Sequence, residues 1–261
     1  MIRISSNAIR NSRAVLAFIL VPCIAFSGCR REYVSPKGYL VRNVIDGDTV
    51  ELSNGRRVRY IGVDTPETMK KVAGRWLHNP EPFALEAKKL NRSLVGGRRV
   101  SLEFDSKKED KYGRWLAYVK ADGKMVNTEL LRDGYALLVV YPPNDKHLKV
   151  LVEAQKEAKD ARRGLWKDLK TISASEANAY VGRVVTIKGT VESVVSSGNT
   201  VFLNFIERGV SVIIYGSNLQ FFANPERSYK DKILEITGKI KDRNGPSLVV
   251  YHPTQVRIVG E

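Results

Sequence analysis

The sequence predicts a mainly β chain with helices, an α+β fold made of two successive strand-rich blocks. Three observations predict it. Residues 40–63 alternate apolar and polar side chains around turn signals at Asp46-Gly47 and Asn54-Gly55, the pattern of a strand meander. Segments 83–95 and 144–163 carry apolar residues at helical spacing in the same block. Beyond residue 170, five short strand-like runs recur within about 90 residues, the spacing of a small barrel or sandwich.

The elements follow in order. Residues 69–82 are polar and broken by Gly74, Pro80 and Pro82, which predicts a surface loop. The 83–95 helix places Leu85, Ala87, Leu90 and Leu94 on its apolar stripe and stops at Gly96-Gly97. Strands follow at 99–104 and 115–120, a short helix at 126–132 closed by Gly134, and a strand at 136–141. The 144–163 helix turns Leu148, Leu151, Val152 and Ala158 to one side and ends at Gly164. Ser173 and Glu176 form a capping-box pattern that opens another helix. The five runs of the second block are 184–194, 200–205, 210–215, 233–240 and 248–250, with a helical insert at 218–222. Their pattern is that of a small oligonucleotide-binding (OB) barrel. In it Val201, Leu203 and Phe205 point inward. Phe202 is then the best exposed platform for a base and Tyr215 a weaker one, with Phe221 and Phe222 as core.

The 261 residues carry 43 Lys and Arg against 28 Asp and Glu, a net charge of +15. The excess is concentrated in 29–171; residues 172–261 hold only 10 basic against 8 acidic side chains. A basic surface favours a polyanionic partner or simply solubilises the chain. Residues 1–28 read as an export leader: Arg3, Arg10 and Arg13, then an apolar run from Ala14 to Phe26 too short for a comfortable membrane span. The run ends in Phe26-Ser27-Gly28-Cys29, which resembles a bacterial lipoprotein box and implies cleavage before Cys29 and acylation of its sulfur. Residues 29–37 then form a tether. Cys23 and Cys29 are the only cysteines, so the body has no disulfide and no thiolate metal site. The expected location is the cell envelope, membrane-anchored through Cys29, as a monomer.

Three short motifs carry the chemistry: Asp46-Gly47-Asp48-Thr49, the run from Arg59 to Glu67 (R-Y-I-G-V-D-T-P-E), and Asp110-Lys111-Tyr112-Gly113-Arg114. Each alone reads as a turn or a strand end. Together they offer two carboxylates for a metal, a third for a base, and two guanidinium groups. Asp48 and Asp64 stand 16 residues apart, a spacing that antiparallel neighbours can bring to one point. Oxygen-only ligands favour a hard cation, Ca²⁺ or Mg²⁺. His78, His147 and His252 are too scattered to be zinc ligands.

On these motifs, residues 38–170 resemble the staphylococcal nuclease (thermonuclease) family. The resemblance implies a staphylococcal-nuclease-type OB barrel with appended helices, followed here by the second small OB-like barrel of 172–261. It implies Ca²⁺ held by Asp48, Asp64 and the Thr65 carbonyl, with Asp46 orienting the site. It implies Glu67 as general base, Arg59 and Arg114 on the scissile phosphate, Lys111 and Tyr112 on a terminal phosphate, and Tyr141 lining the nucleotide pocket. The family's other pocket tyrosine falls on Val139. The implied activity is hydrolysis of DNA and RNA to 3′-phosphate ends by a membrane-tethered enzyme. Two alternatives stay open: a nucleic-acid-binding lipoprotein without turnover, and an envelope protein whose barrels bind other proteins. Pure binding does not need Glu67.

Overall fold

The computed structural model describes residues 38–260; the expected leader, the tether and Cys29 lie outside them. The first half contains β1 (Tyr39–Asp46), β2 (Thr49–Leu52), β3 (Arg57–Tyr60), β4 (Val63–Asp64), β5 (Met69–Val72) and β6 (Arg75–His78). Then come α1 (Ala84–Val95), β7 (Arg99–Glu109), β8 (Trp115–Ala121), β9 (Lys124–Met125), α2 (Val126–Arg132), β10 (Leu137–Leu138) and α3 (Leu148–Asp160). The sheet runs β3-β2-β1-β7-β8 and closes through a parallel β3–β8 pair. Val50, Leu52, Val58, Tyr60, Leu102 and Tyr118 fill its interior, and Leu130, Leu131 and Leu151 seal it under α2 and α3.

The second half holds β11 (Thr171–Ser173), β12 (Val184–Ser197), β13 (Thr200–Phe205), β14 (Ser211–Tyr215), α4 (Pro225–Tyr229), β15 (Ile233–Asp242), β16 (Pro246–Val249) and β17 (Val256–Ile258). Its order β12-β13-β14-β16-β15 closes through β12–β15, with β14 and β16 parallel. The chain therefore winds the same five-strand path twice. In both barrels the first strand pairs with the second and the fourth, and the third runs parallel to the fifth. Ile187, Leu203, Phe205, Ile214, Leu234 and Leu248 form the second core. The alternation along β13 is as expected: Val201, Leu203 and Phe205 are buried and Phe202 is half-buried on the outer face. Ser173 and Glu176 do form a capping box, on a 3-10 turn over Ala174–Tyr180.

Several expectations need correction. Residues 69–82 are not a plain loop: β5 and β6 pair as a hairpin across Ala73-Gly74. Every residue of both strands is exposed, so no buried face imposes the alternation that betrays a strand. In α1 the buried residues are Ala84, Ala87, Asn91 and Val95, while Leu85 is 51% exposed. The helix expected over 144–163 runs only from Leu148 to Asp160. Asn144 is instead bound to the Lys107 backbone, accepting from its N–H at 2.7 Å and donating to its carbonyl at 2.7 Å. The 136–141 strand shrinks to Leu137–Leu138, because its partner β4 is only two residues long; beyond it the Val140 carbonyl accepts from Asn218 of the second half. Phe221 packs against the first core and Phe222 against the second.

Candidate functional site

The hairpin between β1 and β2 turns through Gly47-Asp48, one residue later than the dipeptide signal indicates. Gly47 is there for space: a Cβ would lie 2.6 Å from Thr65 Oγ1 and 2.8 Å from the Ala87 Cβ. That close approach drives Asp48 inward, where it is 1% exposed. Its Oδ1 accepts from Thr49 Oγ1 at 3.0 Å, and its Oδ2 accepts from the Thr65 N–H at 2.8 Å and the Thr65 hydroxyl at 3.0 Å. Asp64 does not come from an antiparallel neighbour of β2. The chain leaves the barrel at Gly62 (φ 81°, where a Cβ would strike Leu151) and β4 pairs with β10. Arg59 joins the two acids. Its Nη1 donates to Asp48 Oδ1, and its Nη2 donates to Asp64 Oδ1 at 2.7 Å.

Charge is distributed unequally over this cluster. Burial, with Asp64 and Asp46 adding to it, pushes Asp48 above the ordinary carboxylate range despite Arg59. Burial also opposes ionisation of Asp64, but Lys241, then Arg59 and Lys239, outweigh it and hold its pKa at about 2. Glu67 stands at the exposed rim. Desolvation on its protein side, then the charges of Asp48 and Asp46, push it up to about 8, against Arg59. A cation beside Asp48 and Asp64 would favour its ionised form.

Asp46 turns its Oδ1 to the Gly47 N–H at 3.0 Å, and its carbonyl accepts from Asn91 Nδ2 at 2.9 Å. Asn91 Oδ1 in turn accepts from the buried Tyr60 hydroxyl at 2.9 Å. The sequence reading missed Asn91, although an asparagine spaced with Ala84, Ala87 and Val95 was visible. Asn91→Ala is expected to cost about 1–3 kcal/mol, because two buried groups lose their partner. Urea denaturation measures it; a change within about 0.5 kcal/mol, the range of ordinary surface substitutions, would show that these bonds contribute no net stability.

Arg114 lies apart from the acid cluster. Asp110 orients it, accepting from Nε at 2.8 Å and Nη2 at 2.7 Å. Arg114 stands one residue before β8, whose Leu116 pairs in parallel register with Arg59. Tyr112, 72% exposed, carries the Arg114 guanidinium at 5.5 Å and the Lys111 ammonium at 5.1 Å from its ring centre. Tyr141 is 57% exposed. Val139 is buried against Val249 and Tyr251 of the second half, where it lines a cavity together with Asp64 and Lys241.

Lys241, Lys239 and Glu81 are the other unforeseen members. Lys241 Nζ sits 3.2 Å from Asp64 Oδ2. Lys239 binds Glu81 Oε2, which also accepts from the Glu67 N–H at 2.8 Å. Among the described residues no three acid, histidine or cysteine side chains converge tightly enough to hold an ion unaided. Asp48 and Asp64 nonetheless share one cationic group, Arg59, and the Thr65 backbone adjoins them. This donor set fits a hard cation whose shell a carbonyl and water complete.

The family model for staphylococcal nuclease homologues matches residues 57–168. The thermonuclease of Staphylococcus intermedius is 41% identical over 138 residues, 51% of this chain and 79% of that protein. The chain belongs to the staphylococcal nuclease family. The thermonuclease of Staphylococcus hyicus is 36% identical over 134 residues, 50% of this chain and 76% of its own length. Endonuclease YncB of Bacillus subtilis (strain 168) is 42% identical over 127 residues, 47% of this chain and 58% of the relative. The staphylococcal nuclease match includes Arg59, Asp64, Glu67 and Arg114 and ends before β11.

Proposed function

We propose that this chain is a Ca²⁺-dependent nuclease that hydrolyses phosphodiester bonds of DNA and RNA and leaves 3′-phosphate ends. The observation that carries the reading is Arg59 bridging Asp48 and Asp64 on a barrel whose relatives are named thermonuclease and endonuclease. A cation held by Asp48, Asp64 and the Thr65 carbonyl would supply charge stabilisation at the phosphate. Glu67, in its ionised form, takes the proton of the attacking water. Arg59, already between the two acids, and Arg114, held by Asp110, would turn their remaining N–H donors to phosphate oxygens. Lys111 and Tyr112 meet a neighbouring phosphate, and Tyr141 meets a base.

Incubation of the purified chain with labelled DNA and RNA tests this directly. Cleavage to 3′-phosphate ends is expected, and binding without cleavage would favour the non-catalytic alternative. The anchor is a separate part of the proposal: a leader over 1–28, a tether over 29–37, and acylation of Cys29. Cys29→Ser is expected to move the protein from the membrane fraction to the soluble extract. Unchanged fractionation, with no acyl label on the wild type, would contradict it.

A further inference from the structure

The second barrel meets the first at its acid cluster. Lys239 and Lys241 share one face of β15, since strand residues two apart point the same way. One grips Glu81 and the other Asp64. Asn218 is 1% exposed and donates at 2.8 Å to both the Val140 and Tyr251 carbonyls, tying the halves together. The Tyr251 hydroxyl meets that of Tyr141 at 3.1 Å with the rings edge-on, 5.3 Å between centres. Tyr251 is itself buried, so it braces Tyr141 and leaves that ring open to solvent.

From this seam a cationic and aromatic surface continues over the second barrel, exposed at Arg243 and half-buried at Lys241 and Tyr215. Lys241 holds Asp64 at 3.2 Å, and Arg243 follows two residues on, just past the end of β15. Arg243, on the exposed hairpin between β15 and β16, donates to the Tyr215 hydroxyl and lies 6.0 Å from that ring's centre. Asp242, the acid between Lys241 and Arg243, is directed to the opposite side by strand alternation and accepts from the Gly245 N–H at 3.2 Å. Alternating cations and partly open rings are what a single strand requires, because phosphates pair with the first and bases stack on the second.

We propose that Lys241, Arg243 and Tyr215 form a subsite for single-stranded nucleic acid, continuing the track from Asp64 and Tyr141 onto the second barrel. The subsite rests on the nuclease reading for its substrate. It differs from the platform expected at Phe202: both rings are half-buried, but Tyr215 carries the Arg243 guanidinium beside it. Its consequence is length dependence: strands long enough to pass the seam gain affinity that a dinucleotide cannot.

The test is a titration of the full chain with fluorescent oligothymidine in excess chelator, where binding is read without cleavage. Arg243→Ala and Tyr215→Leu are each expected to weaken binding of a long strand about tenfold, the range of one lost stacking or charge contact. Arg243→Ala is also expected to lower the salt slope by about one, with Arg243→Lys restoring it. A dinucleotide is expected to lose far less. Long-strand affinity unmoved in both variants overturns the subsite, and so does an equal loss for dinucleotide and long strand. Wild-type binding of this length-dependent kind without any cleavage on adding Ca²⁺ or Mg²⁺ keeps the subsite and overturns the nuclease reading. Cleavage with wild-type long-strand affinity in both variants does the reverse.

Discussion

Arg59→Ala is expected to lower turnover by about 10²–10³, the usual consequence of removing one preorganised donor to a developing oxyanion. The geometry adds a second cost. Arg59 is the group between Asp48 and Asp64, and Asp48 is 1% exposed. Removing the guanidinium leaves a buried carboxylate facing another, and breaking such a pair costs about 3–5 kcal/mol. Activity loss in the alanine variant alone would therefore mix chemistry with folding. Arg59→Lys separates them: it keeps a cation between the acids but loses the planar pair of donors. Most of the stability is expected to return with lysine, and turnover is expected to stay low. Glu67→Gln provides the companion measurement, because Glu67 sits at the exposed rim, where a neutral side chain of the same shape is readily accommodated. Turnover close to wild type in Arg59→Lys and Glu67→Gln, measured on single-stranded DNA, would sink the assigned roles and favour binding without catalysis.

Much of this site was legible because its parts are local. Asp48, Arg59, Asp64 and Thr65 lie within 18 residues, and strand alternation plus two glycines suffices to bring them together. The geometry of the turn was less legible. Asp46 looked like half of an Asp-Gly hairpin signal, whereas the turn is Gly47-Asp48, and the reason is tertiary: Thr65 and Ala87 press on Gly47. On α1, Ala87, Leu90 and Leu94 face the core as expected, and only Leu85 departs from the stripe. Small Ala84 and Ala87 allow the helix to approach the β1 turn, and Leu85 is left in solvent. Val139 was legible as a departure from the family's pocket, but its effect was not. Its partners, Val249 and Tyr251, are more than 100 residues away. Lys241 carries no local signal at all. A lysine in an alternating strand reads as a solvated face, and only the docking of one barrel on the other places it on Asp64.

Chelation is expected to abolish cleavage, and added Ca²⁺ to restore it, while the protein stays folded. The first half follows from donor chemistry. The converging groups are carboxylates, a hydroxyl and peptide backbone, with no thiolate, and His147 is engaged elsewhere with Glu103 at 2.8 Å. Oxygen donors of this kind select a hard dication. The second half follows from where stability resides. The two cores are apolar and lie inside the barrels, and Asp48 and Asp64 have cationic partners within the chain, Arg59 and Lys241. Losing a ligand that binds only the native state removes RT ln(1 + [L]/Kd), about 2.7 kcal/mol at a hundredfold excess over Kd. At roughly 2–4 °C per kcal/mol for a chain of this size, that lowers Tm by about 5–11 °C and leaves the protein folded at ordinary temperatures. Thermal melting and a cleavage assay on the same chelated sample measure both. Cleavage that persists in excess chelator would overturn the metal assignment, and unfolding on chelation would overturn the account of stability. Restoration by Mg²⁺ as complete as by Ca²⁺ would overturn only the choice of ion.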